Sequence, residues 1–414
     1  MKTWFTYIAS ILFAAATAFL FADYEMAANA FSIATTYLLR IGTLITIPLI
    51  VFSFPSAIAS IRKDRMGAKV FSSLLSWTLA TSILLPVVPS VIFYLYPSVF
   101  PVTSSAGSQG DVVGYFVNYA VSSNLNALNI TNPFNAIATA SGIFIPLLIL
   151  SWIFGLFLKP SSDTIRPAYA VMNSFSEVIH KAARFYTVYG YVIAYFALTD
   201  LFLSSYVEKT VIAVPEFLLM LLIITSVIIF ALLPLLFAIF TKFKKNPYKV
   251  LFLSISSIIM ALGAGNTISS IATNISTARA SLGVQKRNAV TSTFFLTVFA
   301  KGGSASISTF IALTLITAMG GILDQNTIIF ITLASIASSF VSFISFGMES
   351  VIITYIALKM LNIDLYGAES AIISILMVTN GLSSMIDAAI MAMGSKVVSV
   401  HTKTDIEIPY KDYL

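Results

Sequence analysis

The sequence predicts an all-α polytopic membrane protein, in which eight transmembrane helices and two re-entrant helical hairpins form inverted repeats. Of its 414 residues, 58% are hydrophobic and only 10% are charged, whereas a soluble domain carries about 25% charged residues. Apolar stretches recur along the chain, and each is close to the ~20 residues that a helix needs to cross a bilayer. Glycine- and serine-rich segments interrupt several of them near the C-terminus, which indicates broken helices.

Hydropathy places eight spans along the chain. They cover residues 4–22, 27–61, 67–95, 130–158, 168–200, 210–241, 288–320 and 371–396. The stretch Pro97–Ile130 is polar, nearly uncharged and rich in serine, asparagine and glycine, so we expect a long external loop there. The first apolar stretch has no obvious small-residue cleavage site, which favours a spanning helix over a cleaved signal peptide.

Charges in the loops alternate in sign along the chain. Basic clusters lie at Arg62–Arg65, Lys242–Lys249 and Arg279–Arg287, whereas acids such as Asp23 and Asp324 dominate the alternate loops. Basic loops face the cytoplasm in membrane proteins, so the pattern predicts an integral protein of the cytoplasmic (inner) membrane with both termini in the cytoplasm. This topology explains the net charge of +6, and we expect the lipid bilayer, not nucleic acid, as a partner.

Two apolar segments, Lys249–Ala280 and Ile328–Leu361, are too long for one crossing and have small polar residues at their centres. Basic residues flank the first segment at both ends and acids flank the second, so both ends of each lie on one side of the membrane. Each segment is therefore predicted to be a re-entrant helical hairpin. The spans Val290–Gly320 and Ala371–Met393 follow them, which makes two hairpin-plus-helix units of opposite orientation, an inverted repeat.

Charged residues accompany the interruptions in this part of the chain. The interruptions are Gly263–Ser270, Ala300–Ser304 and Ser342–Glu349, and the charges are those of Lys301, Glu349 and Asp387. In hydrocarbon, non-helical backbone is stable only where it is buried in protein or lines a cavity. Broken helices that meet near the bilayer midplane form the binding site of secondary transporters. The pattern therefore predicts a transporter.

The chain resembles the dicarboxylate/amino acid:cation symporters, the family of glutamate transporter homologues. The resemblance rests on the apolar run Leu38–Phe52 around Pro48 and on the motif Thr131-Asn132-Pro133-Phe134. It also rests on the order and spacing of the two hairpin tips, the helix break and the last predicted helix. It implies a homotrimer of independent elevators. It also implies that residues 1–248 form mainly scaffold and trimerisation helices with parts of the transport unit, residues 249–396 the transport core, and residues 397–414 a cytoplasmic tail.

The resemblance also implies where a small-molecule solute binds. The corresponding positions are Thr267, Ile268, Ser269, Ser304, Ile344, Ser345, Glu349, Ser384, Asp387, Ala388 and Met391. The family has a serine triplet where this chain has Thr267-Ile268-Ser269. Where the family has an aspartate that binds the substrate amine, this chain has Ser384. Where the family has an arginine that binds an acidic side chain of the substrate, this chain has Asp387.

The family's sodium-binding positions differ as well. Two carboxylates and two amides are replaced by Gly302, Ser395, Ala300 and Met391, while Thr81-Ser82 keeps a hydroxyl pair. Lys301 also stands in this break, so the formal charge around the sodium-binding positions is about three units more positive than in the family pattern. In a poorly screened site, each unit of charge changes the electrostatic free energy by several kcal/mol. We interpret Lys301 as a tethered surrogate for sodium. The alternative is a lysine that snorkels to an interface.

Glu349 and Asp387 each have two interpretations. Asp387 either forms a structural salt bridge with Lys301, or repels acidic solutes and accepts a cationic or hydrogen-bond-donating group. Glu349 is either a gate residue or proton carrier, or it lies on a tip that faces external water. Without the sodium carboxylates, we expect transport that is coupled to protons through Glu349, Asp387 or Lys301, or that is pure exchange.

The expected function is elevator-type secondary transport of a small organic solute, an amino acid or a related carboxylate, without the family's usual sodium sites. The alternatives are an acidic amino acid or dicarboxylate:cation symporter that uses main-chain contacts, and a non-transporting sensor or anion channel on the same scaffold. No cofactor, metal site or enzymatic activity is predicted. The chain has no cysteine, its histidines His180 and His401 lie far apart, and it has no phosphate-binding loop.

Overall fold

Helices form the regular structure in the computed structural model, which describes residues 2–97, 140–207, 215–321, 323–342, 347–363, 369–409 and 413. Within those residues there is no β-strand. Many large apolar side chains point outward, for example Phe13 at 67% exposed and Phe19 at 86% exposed on the first helix. Bilayer hydrocarbon accommodates such side chains, and spanning helices satisfy their own backbone hydrogen bonds. The predicted all-α membrane fold is confirmed.

The first part of the chain, up to residue 240, contains ten α-helices among the described residues. They are α1 Thr3–Phe21, α2 Glu25–Pro48, α3 Phe54–Lys63, α4 Gly67–Leu84, α5 Val87–Leu95, α6 Ala140–Phe157, α7 Arg166–Tyr189, α8 Tyr191–Val207, α9 Pro215–Val227 and α10 Leu233–Phe240. A π-helical turn at Leu49–Ser53 joins α2 to α3, and another at Ile228–Leu232 joins α9 to α10. Pro48 directly precedes the first of these turns, where its missing N–H interrupts the regular hydrogen-bond pattern.

The second part of the chain, from residue 247, contains eight α-helices among the described residues. They are α11 Pro247–Leu253, α12 Ile255–Ala264, α13 Ile271–Ala280, α14 Lys286–Phe299, α15 Gly302–Ala318, α16 Gln325–Ser339, α17 Glu349–Met360 and α18 Glu369–His401. A single 3₁₀ turn, Ile268–Ser270, lies between α12 and α13. The polar and small residues of the three predicted interruptions therefore coincide with three interruptions of the helices.

The apolar spans agree closely with the prediction. Among the residues that the structure describes, six helices are long and apolar enough to cross a membrane, or up to eight if each of two bent pairs counts as one span. The predicted span 168–200 is the bent pair α7–α8, with a 53° bend. The predicted span 130–158 corresponds in its described part to α6. The last helix, α18, continues to His401, beyond its predicted end at residue 396.

Both predicted hairpins are present. The arms of the first are α12 and α13, preceded by α11, which makes a 58° bend with α12. The arms of the second are α16 and α17, and in each hairpin the two arms contact one another. Helix α18 lies at the centre of this part of the fold, since it contacts α12, α14, α15 and α17. Gly265 ends α12 in a left-handed conformation, with φ of 61°, which glycine adopts without steric cost.

Candidate functional site

The break between α14 and α15 consists of two non-helical residues. Helix α14 ends at Phe299 and α15 begins at Gly302, so Ala300 and Lys301 form the connection. The side chain of Lys301 is fully buried, at 0% exposure. A lysine that snorkels keeps its ammonium at an interface, and Lys301 does not. A buried ammonium requires hydrogen-bonding partners and a compensating charge.

Lys301 joins the tips of the two hairpins. Its Nζ donates to Oε1 of Glu349 at 3.0 Å and to Oγ1 of Thr267 at 3.3 Å. Thr267 belongs to the first tip, and Glu349 is the first residue of α17 at the second tip. The Glu349 side chain is 1% exposed, so it does not face water. The ion pair is therefore buried at a point where three chain breaks meet.

The main chain at the second tip completes the coordination of Glu349. Its Oε2 accepts a hydrogen bond of 2.7 Å from the backbone N–H of Gly347. Gly347 has a φ of 87°, in the left-handed region that favours glycine. One oxygen of this carboxylate is thus held by an ammonium and the other by a main-chain N–H.

Asp387 of α18 is held by the start of α15. Its Oδ1 accepts from the backbone N–H of Gly303 at 2.7 Å, and its Oδ2 accepts from Oγ of Ser304 at 2.7 Å. The free N–H groups at a helix N-terminus favour a negative charge. Of the two acids, Glu349 is the one that forms the direct ion pair with Lys301, and Asp387 acts as a cap that α18 supplies to α15.

Two glycines allow this approach of three helices. A Cβ on Gly303 would lie 2.6 Å from Cβ of Ile386 and 2.7 Å from the carbonyl oxygen of Ser383, both on α18. A Cβ on Gly302 would lie 2.8 Å from the carbonyl oxygen of Thr81 on α4. The N-terminus of α15 is therefore wedged between α4 and α18, and any larger residue at either position would separate them.

An asparagine that the sequence analysis missed ties the second tip to α18. Asn380 donates from Nδ2 to the carbonyl oxygen of Gly347 at 2.7 Å, and its Oδ1 accepts from Oγ of Ser350 at 2.6 Å. It lies seven residues before Asp387 on the same helix, and residues two turns apart share a face. A search for polar residues on the face of Asp387 would have found it.

The other predicted site residues have different surroundings. Ile268 and Ser269 are buried at the first tip, where Oγ of Ser269 donates to Oδ1 of Asn266 at 3.0 Å. Ser384 and Ala388 are buried on α18. The predicted residues Ile344 and Ser345 lie outside the residues that the structure describes.

The positions that correspond to sodium ligands in the resemblance make internal contacts. Sδ of Met391 accepts from Oγ1 of Thr297 at 3.0 Å. Oγ of Ser395 accepts from Oγ of Ser292 at 2.7 Å and donates to the carbonyl oxygen of Met391 at 2.9 Å. Neither side chain carries a negative charge to offset a cation, and neutral hydroxyl and thioether groups fill the space between α14 and α18.

A helical membrane protein in which two hairpin tips meet at a broken helix belongs to the class of secondary transporters. The model of the Sodium:dicarboxylate symporter family matches residues 4–404. The chain belongs to this family, whose members are transporters and not enzymes, and it is an integral membrane protein. A comparison with curated proteins found no match.

Proposed function

We propose that this protein is an elevator-type secondary carrier of a small organic solute, an amino acid or a related carboxylate, and that it works without sodium. Family membership supports secondary transport. The observation that carries the sodium-independent part is the ammonium of Lys301, which is fully buried in the helix break and paired with Glu349 at 3.0 Å. In this proposal, the ammonium permanently supplies the positive charge that a bound cation would bring.

Two further observations support the absence of a sodium site. Sodium binds several oxygen ligands, as hard cations do, and a nearby carboxylate offsets its charge. Ala300, Gly302 and Met391 offer no side-chain oxygen, and Ser395 is already bonded to Ser292. A cation beside Lys301 would also be repelled by the ammonium.

The charges of the site favour a solute with one carboxylate over a dicarboxylate. Asp387 stands where the family pattern has an arginine for the second carboxylate, so an acidic side chain there would meet a like charge. Lys301 and the main-chain N–H of Gly347, which hold the carboxylate of Glu349, are donors of the kind that binds a solute carboxylate. A neutral or zwitterionic amino acid, or a related monocarboxylate, satisfies both conditions.

The larger architecture is also part of the proposal. We infer a homotrimer in the inner membrane with both termini in the cytoplasm. The scaffold would come mainly from residues 1–248 and the moving core from residues 249–396. The resemblance and the alternation of loop charges support this arrangement. Crosslinking of the purified protein in lipid would test the trimer, and accessibility of single cysteines placed in this cysteine-free chain would test the topology.

Counterflow in proteoliposomes tests the proposed function. Vesicles would be loaded in turn with unlabelled neutral amino acids, monocarboxylates and dicarboxylates, and uptake of each labelled solute followed with sodium or with choline. We expect counterflow of a monocarboxylate or amino acid that choline supports as well as sodium. Uptake that requires a sodium gradient would overturn the proposal in favour of cation symport. Solute currents without counterflow would indicate a channel, and binding without uptake would indicate a sensor.

A matched pair of variants connects the result to the site. Lys301→Met removes the buried ammonium and should reduce counterflow by roughly tenfold or more, because it leaves Glu349 without its ionic partner. Lys244→Met removes an exposed lysine from the loop after α10 and should leave counterflow unchanged. Equal activity of the two variants would show that Lys301 has no part in transport.

A further inference from the structure

We propose that Glu349 occupies the place of the solute's carboxylate on Lys301, and that a solute with one carboxylate binds by displacing Glu349, which takes up one proton. This inference rests on the proposed function as a carrier. It identifies the solute class by its carboxylate, and it assigns the proton to one of the candidate residues.

The geometry at Glu349 is that of a bound carboxylate. Lys301 Nζ holds one oxygen at 3.0 Å, and the N–H of Gly347 holds the other at 2.7 Å. The hydroxyl of Thr267 lies 3.3 Å from the same ammonium, on the opposite tip. These are the groups that bind free carboxylates in proteins: an ammonium and a main-chain N–H near a helix N-terminus. In the structure, the side chain of Glu349 occupies this site.

The charges around Glu349 can balance only one carboxylate beside Lys301. The charged groups that face it are Lys301 in the break and Asp387 on α18, and the neighbouring helices α15 and α16 contain no charged residue. Both oxygens of Asp387 are already bonded to Gly303 and Ser304. A second carboxylate on Lys301 would therefore leave Glu349 ionised and without a cation, which is unfavourable at membrane depth.

Protonation of Glu349 removes this conflict. The ion pair between Lys301 and Glu349 breaks, an ion pair between Lys301 and the solute carboxylate forms, and a proton from water bonds to a Glu349 oxygen. No electron is transferred, and the charge of the site is the same before and after binding. Each solute carboxylate therefore enters with one proton. Asp387 keeps its cap and does not take part.

The exchange predicts a specific pH dependence. Because Glu349 is ionised in the ion pair and binding requires it to take up a proton, the solute's apparent affinity should fall tenfold for each unit of pH. A dicarboxylate would bring a second negative charge for which the described site has no cation, so it should bind more weakly than a monocarboxylate.

Calorimetry on the purified full-length protein tests the exchange, with choline in place of sodium. The probes are acetate, L-alanine and succinate, titrated between pH 5.5 and 8.0 in buffers of different ionisation enthalpy, which reports the number of protons taken up. We expect acetate or L-alanine to bind wild type with one proton and with affinity that falls as pH rises. Glu349→Gln should bind the same probe without a proton, and at least tenfold more tightly than wild type at pH 8.0.

Controls separate the possible failures. Glu407→Gln alters a glutamate that is 89% exposed and should behave as wild type. Proton uptake that persists in Glu349→Gln, loss of binding in that variant, or failure of every carboxylate probe at pH 5.5 would each overturn the exchange. Sodium-independent counterflow of a solute without a carboxylate would overturn it too, while the proposed carrier function would stand. A sodium requirement would instead overturn the proposed function.

Discussion

The carboxylate of Asp387 caps the N-terminus of helix α15, because its Oδ1 accepts a hydrogen bond of 2.7 Å from the backbone N–H of Gly303. The second oxygen accepts from Oγ of Ser304. The residue before the helix, Lys301, provides no side-chain cap of its own. The carboxylate therefore satisfies a buried N–H and compensates the helix dipole, and it ties α18 to α15 beside the Lys301–Glu349 pair.

Replacing Asp387 should destabilise the protein. Asp387→Ala leaves the N–H of Gly303 and the hydroxyl of Ser304 buried without their acceptor, at a cost of about 1–3 kcal/mol. Asp387→Asn should be milder, because its amide oxygen can still accept from Gly303. The apparent melting temperature in detergent measures both variants. Equal stability of Asp387→Ala and wild type would show that the cap is energetically unimportant.

Gly303 should tolerate no side chain. In Gly303→Ala, the new Cβ would lie 2.6 Å from Cβ of Ile386 and 2.7 Å from a backbone carbonyl, so α18 would have to move. Overpacking of this kind costs typically 1–3 kcal/mol. Gly67→Ala is the matched control, since a Cβ there meets nothing within 4 Å. Thermal stability and monodispersity should fall in the first variant and stay near wild type in the second.

Local sequence was sufficient to predict the spans, the hairpins and the break. Apolar length determines where a helix crosses the bilayer, and glycine, serine and charge mark the interruptions. The connection formed by Ala300 and Lys301 lies within the predicted break Ala300–Ser304. These features depend on residues near one another in the chain, so no knowledge of packing was needed.

The partners of the charges could not be predicted in the same way. Lys301 lies 48 residues from Glu349, and Gly303 lies 84 residues from Asp387. Which acid meets the lysine depends on the rotation of α15 against α17 and α18, which spacing does not specify. Capping patterns in sequence are local, so a cap supplied by another helix leaves no signal. Only the packing of the helices determines that Asp387 contacts Gly303 and that Glu349 contacts Lys301.

The Lys301–Glu349 pair should behave as one unit in stability. Lys301→Met leaves a buried carboxylate without its cation, and removal of one partner of a buried pair costs about 3–5 kcal/mol. The double variant Lys301→Met/Glu349→Gln removes both charges and should recover most of that loss. Apparent melting temperatures of wild type, both single variants and the double variant provide the comparison. Losses that simply add would indicate that the two charges do not interact.

Asp405 and Ile406, in the described segment after α18, pack against the body of the protein. The backbone N–H of Ile406 donates to the carbonyl oxygen of Gly283 at 3.0 Å, in the turn before α14. The carboxylate of Asp405 bonds to Lys396 of α18, and its other oxygen lies 2.9 Å from Nζ of Lys245. The hydrogen bond with Asp405 raises the pKa of Lys245 above its ordinary value, because it favours the ammonium form.

Asp405→Asn should therefore loosen the C-terminal segment, whereas Glu407→Gln should not. Asp405 is 12% exposed and serves two lysines, one of which, Lys396, is only 9% exposed, so its loss should cost about 1–3 kcal/mol. Glu407 also bonds to Lys245, at 3.2 Å, but it is 89% exposed. Such a solvent-exposed pair contributes about 0–1 kcal/mol.

Trypsin cleavage after the exposed Lys403 would report release of the segment. We expect faster cleavage and a lower melting temperature in Asp405→Asn alone, and equal cleavage rates in the two variants would show that Asp405 does not hold the segment in place.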